Sequence, residues 1–178
     1  MSLKLIRQAF TSKKLLPKMW HSHSLRDSYD IVIVGGGAHG LACAYYLATK
    51  HQINNVAVLE QNYIGSGGSG RNTAIVRSNY LTPEGVSFYN QSVKLYEQMS
   101  GELDFNVMFS QRGVLNLGHT LQEMRDLSRR VNSNRLNGID AEILNTEQVK
   151  ALVPIINVSP TARYPIIGGS LQRRAGTA

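Results

Sequence analysis

SYDIVIVGGGAHGLACAYYLATKHQINNVAVLEQ, Ser28 to Gln61, decides how the rest of the chain is read. Tyr29–Val34 is a short run of β-formers with no polar alternation after Asp30, the pattern of a parallel strand buried on both faces. Gly35, Gly37 and Gly40 then supply G-x-G-x-x-G. Gly35 permits a sharp turn, Gly37 removes a side chain from the path of a pyrophosphate, and Gly40 lets the next helix pack close to the sheet. The spacing predicts a helix from about Gly37 to Lys50, whose N-terminal amides and dipole face an anion. Leu41, Ala42, Ala44, Tyr45, Leu47 and Ala48 form its apolar face. Val56–Leu59 is a second strand, closed by Glu60, 20 residues beyond Gly40. A carboxylate there accepts ribose hydroxyls and repels a 2′-phosphate. Each sign alone is weak; strand, glycines, helix, strand and spaced acid together point to a dinucleotide.

The following stretch, NYIGSGGSGRNTAIVRSNY (Asn62 to Tyr80), is long, polar and glycine-rich. A simple nicotinamide-binding domain returns promptly to a helix at this point, so the loop fits a larger cofactor better. Ser66, Ser69, Arg71, Asn72 and Thr73 are donors for phosphate or carbonyl-like atoms. Arg77 lies beyond a brief apolar run, where a buried cation would stabilise negative charge. The plain alternative is that Arg71 and Arg77 pair with surface acids. His39 occupies a variable position of the motif and reads equally as a solvated residue at a helix start.

The 178 residues carry a formal charge of +7. Lys4, Arg7, Lys13, Lys14, Lys18 and Arg26 stand against Asp27 alone in the first 29 residues, so most of that charge sits in an arm. With no zinc-finger spacing or aromatic-interleaved basic strand, nucleic acid is not an expected partner. The arm, residues 1–28, is compatible with an extension packed on the domain or on a partner, an amphipathic surface helix, or an organellar presequence. No stretch approaches the ~18 consecutive apolar residues of a membrane span. Cys43, the single cysteine, excludes an internal disulfide and reads as a small buried hydrophobe, in keeping with a reducing compartment. His21, His23, His51 and His119 have no metal-ligand spacing, and no metal is assigned.

Further on, Thr82-Pro83-Glu84 starts a helix predicted to reach Met99, with Val86, Tyr89, Val93 and Tyr96 as its buried stripe. Phe105–Ser110 and Gly113–Leu117 read as paired strands joined near Gln111-Arg112. Thr120 and Glu123 spell a capping box for a helix to about Asn132. Gly138–Leu144 reads as extended, Asn145 with Gln148 as another cap, and Pro154 as a stop. The closing PTARYPIIGGSLQRRAGTA reads as a Gly/Pro-rich, partly extended tail.

Five stretches carry a family resemblance: YDIVIVGGGAHGLACAYYLA, NVAVLEQ, GRNTAIVRSNYL, FSQRGVLNLGHTLQEMRDLSRR and GIDAEILNTEQVKALVPIIN. They resemble the β subunits of heterotetrameric sarcosine oxidases, in the D-amino-acid-oxidase-like superfamily, from about Tyr29 to the end. The resemblance implies an α/β fold: a discontinuous Rossmann-like FAD-binding domain of the glutathione-reductase type, with the start of an antiparallel α+β substrate domain. Residues 29–101 are then the first part of the FAD-binding domain and 102–178 the start of an incomplete substrate or interface domain, in a chain that reads as truncated. It implies non-covalent FAD, with pyrophosphate on Gly35, Gly37 and Gly40, adenosine ribose on Glu60, and Arg71, Asn72, Thr73 and Arg77 towards the flavin. Arg77 is the candidate for electrostatic support; no catalytic base is named, and no role is carried to Ala74. It further implies oxidation of sarcosine or a similar secondary amine, covalent FMN on a histidine beyond this chain, and other subunits including a tetrahydrofolate-binding α subunit. The expected compartment is the cytoplasm, with organellar targeting by the arm left open. The rival readings are another FAD-dependent amine or amino-acid dehydrogenase of the superfamily, a non-catalytic partner-dependent fragment, and a nicotinamide dehydrogenase.

Overall fold

The computed structural model describes residues 23–178 together with Leu3 and Phe10. The expectations for residues 1–22 of the arm otherwise lie outside the described residues. The chain forms two compact units that divide between Thr73 and Ala74.

In the first unit, β1 (Ile31–Val34) and β2 (Val56–Leu59) pair in parallel, Ile31 opposite Val56 and Val34 opposite Leu59. Helix α1 (Ala38–His51) connects them. It ends where Gln52 turns left-handed at φ 58° and the Ile53 amide bonds to the Leu47 carbonyl. The β2 entry is fixed by Asn55, whose carbonyl accepts from Asp30 N–H at 3.0 Å and whose side chain accepts from Arg26 at 2.8 Å.

The expectation of a strand buried on both faces is corrected. Ile31 and Ile33 are half-buried, but Val32 is 53% and Val34 85% exposed. Alternation in burial without alternation in sequence means that α1 covers one face and nothing among the described residues covers the other. Cys43, expected to be buried, is exposed on α1, as is Ala42.

The second unit is built on a three-stranded antiparallel sheet of order β4–β6–β5, with β4 at Val114–Gly118, β5 at Ala141–Asn145 and β6 at Gly168–Gln172. The strand β6 pairs along its whole length with both neighbours, and all five of its residues are buried. The tail reading thus missed the central strand. On one face, Leu144, Val149, Ile166 and Leu171 form a core flanked by Leu115, Leu117, Ile156 and Val158. A short ladder joins β3 (Ile75–Val76) to β7 (Gly176–Thr177).

Three helices complete this unit. Helix α2 (Pro83–Glu102) runs past the predicted end at Met99, is capped by Thr82 Oγ1 accepting from Gly85 N–H, and buries Val86 and Val93. Helix α3 (Leu121–Leu136) carries the expected Thr120–Glu123 capping box but continues beyond Asn132, burying Val131. Helix α4 (Thr146–Leu152) has the expected Asn145–Gln148 box and stops before Pro154.

Phe105–Ser110 is not a strand. Asp104 and Met108 take positive φ, 49° and 56°. The amides a ladder would need go to side chains instead, Val107 N–H to Ser100 Oγ and Met108 N–H to Asn106 Oδ1. Ser110 alone forms an antiparallel bridge, with Thr177, so the predicted hairpin with residues 113–117 is replaced by pairing to β6.

Candidate functional site

The glycine turn of the first unit is fixed from three sides. Gly35 donates to the Leu59 carbonyl at 2.7 Å and takes φ +107°, a conformation that a side chain would strain. Gly36 donates to Glu60 Oε2 at 2.8 Å. Gly37 is the N-cap of α1, extended and without a side chain to cap with. A Cβ on Gly40 would collide with the Gly35 carbonyl oxygen and come within 3.3 Å of Ile33. The third glycine of the motif therefore closes the turn on itself as well as onto the strand.

Glu60 does more than the sequence assigns to it. Its Oε1 accepts from Asn62 N–H at 3.0 Å and from Ser66 Oγ at 3.4 Å, alongside the Gly36 bond to Oε2. These bonds, the Gly36 amide first, hold its carboxyl below the usual carboxylate range. The Gln61 amide acts in the same direction, so the carboxylate is held by donors from the glycine turn and from the residues that follow it. The sequence motif carries no signal that this acid also braces the glycine turn.

The 62–73 loop folds over the same turn. Gly65 N–H donates to the Gly36 carbonyl at 3.0 Å, and Ser69 Oγ accepts from Ala38 N–H at 2.9 Å. Gly68–Gly70 is one turn of 3₁₀ helix, which Arg71 follows with its amide on the Gly68 carbonyl. The Asn72 side chain donates to the Ser69 carbonyl. Arg71, Asn72 and Thr73 are exposed. An α-helix leaves its first amides without intrahelical acceptors. Of those here, Ala38 is taken by Ser69, whose Oγ lies 3.0 Å from where a Cβ on Gly37 would stand, while Gly37, His39 and Gly40 have no intrahelical acceptor. That cradle, with a carboxylate at the end of β2, fits the pyrophosphate and ribose of a dinucleotide.

Arg77 belongs to the second unit and is held by its own turn. Its Nη1 donates to Asn79 Oδ1 at 2.8 Å, and its guanidinium lies 4.8 Å over the Tyr80 ring. Tyr80 stacks on Tyr89 of α2, centroids 3.9 Å apart. Burial pushes the Tyr80 phenol up, and the neighbouring Arg77 charge acts against that. Among the described residues neither Arg71 nor Arg77 forms an ion pair with an acid. Surface pairing therefore does not account for them. Nor, among the described residues, does any group of three or more His, Cys, Asp or Glu stand ready for a metal, and no helix is long and apolar enough to cross a membrane.

Comparison with known proteins fits this geometry. Over 168 residues the chain is 54% identical to a sarcosine oxidase subunit beta from Arthrobacter sp, covering 92% of this chain and 42% of that protein. It is 52% identical over 158 residues to the sarcosine oxidase subunit beta of Rhizobium meliloti (strain 1021), covering 89% and 38%. Among solved structures, L-proline dehydrogenase from P. horikoshii superposes with a TM-score of 0.75 at 28% identity, over 86% of this chain and 39% of that one. The chain thus spans about two fifths of the length of the curated relatives it matches. The family model described as FAD dependent oxidoreductase matches residues 30–178, which is nearly all of the described structure, and the chain belongs to that α/β family.

Proposed function

We propose that this protein serves the FAD-dependent oxidation of a secondary amine, sarcosine, to glycine, as a β-type subunit of a hetero-oligomeric oxidase. Identity of 54% across 92% of the chain to a protein of that description is the observation that carries the substrate. The geometry supports the cofactor. In this reading Gly35, Gly37 and Gly40 receive the pyrophosphate at the amino end of α1, and Glu60 accepts from the adenosine ribose while its other lone pairs keep the turn in shape. Arg71, Asn72 and Thr73 donate hydrogen bonds towards the cofactor, and Arg77 places a fixed positive charge towards the flavin. Bound flavin supplies the two-electron chemistry that protein side chains lack. The residues here bind, orient and balance charge, and none of them is assigned as a general base.

The finer parts of the proposal rest on the family resemblance of the sequence. Residues 29–101 contribute to the FAD-binding domain and 102–178 to a substrate or interface domain. A covalent FMN, attached outside these 178 residues, and a tetrahydrofolate-binding α subunit complete the oxidase. The cytoplasm, which keeps an exposed thiol such as Cys43 reduced, is the proposed compartment. The bare Val32 and Val34 favour one further element, that this segment binds flavin fully only when other strands or a partner cover that face.

The test is an absorbance spectrum of the protein after incubation with FAD and desalting, followed by anaerobic addition of sarcosine to the full-length protein. A retained flavin band that bleaches with sarcosine is expected. A retained band that bleaches with a different secondary amine and not with sarcosine would move the substrate and keep the family. Loss of all non-covalent flavin, identified as FAD on release, from the full-length, folded protein would overturn the reading.

A further inference from the structure

Gln172, at the end of the central strand β6, is 1% exposed, yet it spends its side chain on a segment 94 residues away. Its Oε1 accepts from Ser78 N–H at 3.0 Å, and its Nε2 donates to Ser78 Oγ at 2.6 Å. The same Nε2 lies 3.4 Å from Asp140 Oδ1, while Asp140 Oδ2 accepts from Arg174 N–H at 2.7 Å. Both ends of the amide are therefore used, as a buried amide requires. Ser78 is fully buried and Asn79 4% exposed, whereas Arg77 is half-buried. The turn is tight, with Tyr80 N–H donating to the Ser78 carbonyl at 2.8 Å. One two-point clamp from the rigid middle of the sheet thus fixes the backbone on which Arg77, Asn79 and Tyr80 are mounted.

We infer that Gln172 is a positioning residue for the Arg77 guanidinium: it locks Ser78 so that Asn79 Oδ1 and the Tyr80 ring hold the charge in one place. This rests on the reading in which Arg77 faces the flavin. An apolar side chain at 172 would fill the space but leave the Ser78 amide and hydroxyl without partners, and the turn would relax towards solvent to satisfy them. The positive charge would remain in the protein and lose its fixed direction. Oriented charge is what electrostatic support depends on.

The experiment compares Arg77→Gln, Gln172→Met and the double variant in the full-length, flavin-loaded protein. The readout is sulfite affinity of the non-covalent FAD, taken as the sulfite-dependent bleaching lost when FAD is removed, which responds to positive charge beside the ring, with FAD retention and melting temperature measured in parallel. Arg77→Gln is expected to weaken sulfite binding by about tenfold, the size of one lost charge-assisted contact. Gln172→Met should reproduce most of that loss with FAD retained, and the double variant should add nothing to Arg77→Gln. A folded Gln172→Met protein with sulfite affinity within about twofold of wild type overturns the inference. If Gln172→Met does not fold, Ser78→Ala, which removes one hydroxyl and keeps the backbone bond, stands in. It should weaken sulfite binding in the same direction, and unchanged affinity overturns the inference. Should Arg77→Gln itself leave sulfite affinity unchanged, the placing of Arg77 at the flavin fails, and the role of Gln172 fails with it.

Discussion

A methyl group at Gly40 would meet the Gly35 carbonyl oxygen, whereas one at Gly67 would meet nothing within 4 Å. The two glycines stand in one unit, so they make a controlled pair. Gly40→Ala is expected to destabilise by about 1–3 kcal/mol, the usual cost of overpacking, less a part regained from the better helix propensity of alanine. Flavin retention should fall with it. Gly67→Ala should change stability by no more than about 0.5 kcal/mol. Thermal melts of both variants check this, and equal losses would mean that the turn relaxes freely around a side chain. Glu60 supplies a pH signature of the same turn. Its folded pKa lies below the usual value of 4.5 because the Gly36 and Asn62 amides, with Ser66, favour the carboxylate. Its contribution to stability is accordingly complete above 4.5 and is lost as pH falls through the lowered folded value. The melting-temperature gap between wild type and Glu60→Gln should be widest near neutrality and close in that acid window. A gap constant with pH would separate the carboxylate from the turn.

At the scale of elements, what could be read in advance depended on whether the cause was local. The capping boxes at Thr120–Glu123 and Asn145–Gln148 were legible because both partners lie within one turn, and both form as spelled. The same holds for β1, α1 and β2, whose glycine spacing and β-branched runs encode their own geometry. Strand β6 was not legible. Gly168-Gly169-Ser170 has poor strand propensity, and it is made a central strand by Asn116 on one side and Ile143 on the other, paired to Ser170 from 54 and 27 residues away. Its glycines suit that place, since a Cβ on Gly168 would press on Met124 of α3. Phe105–Ser110 failed in the opposite sense. Its composition favours a strand, but Asn106 and Ser100 take its amides locally. For the candidate site, the glycines and the acid were legible as a motif. The bracing of Gly36 by Glu60 and the clamp of Gln172 on Ser78 were not, because each joins residues that no spacing rule connects.

Across the whole molecule the two units differ in how their sheets are covered, and that difference is measurable. The strand β6 has hydrogen-bonded neighbours on both sides, and Leu171 and Ile166 lie in an apolar core. The β1–β2 pair has four residues per strand, one face under α1, and Val34 and Leu59 largely bare. A two-stranded sheet is marginal in water on its own, and local opening follows the weakest burial. Hydrogen exchange on the 178-residue chain should therefore show slow exchange at Gly169–Gln172 and fast exchange at Ile31–Val34. Added FAD should slow the second region more than the first, because the ligand's proposed contacts lie at the ends of β1 and β2. Uniformly slow exchange before any addition would mean that the face carrying Val32 and Val34 is covered in solution, by a second copy or by the arm. Fast exchange at β1 that FAD leaves unchanged, in a chain whose β6 stays protected, would mean that the glycine turn cannot hold the cofactor until further strands complete the sheet.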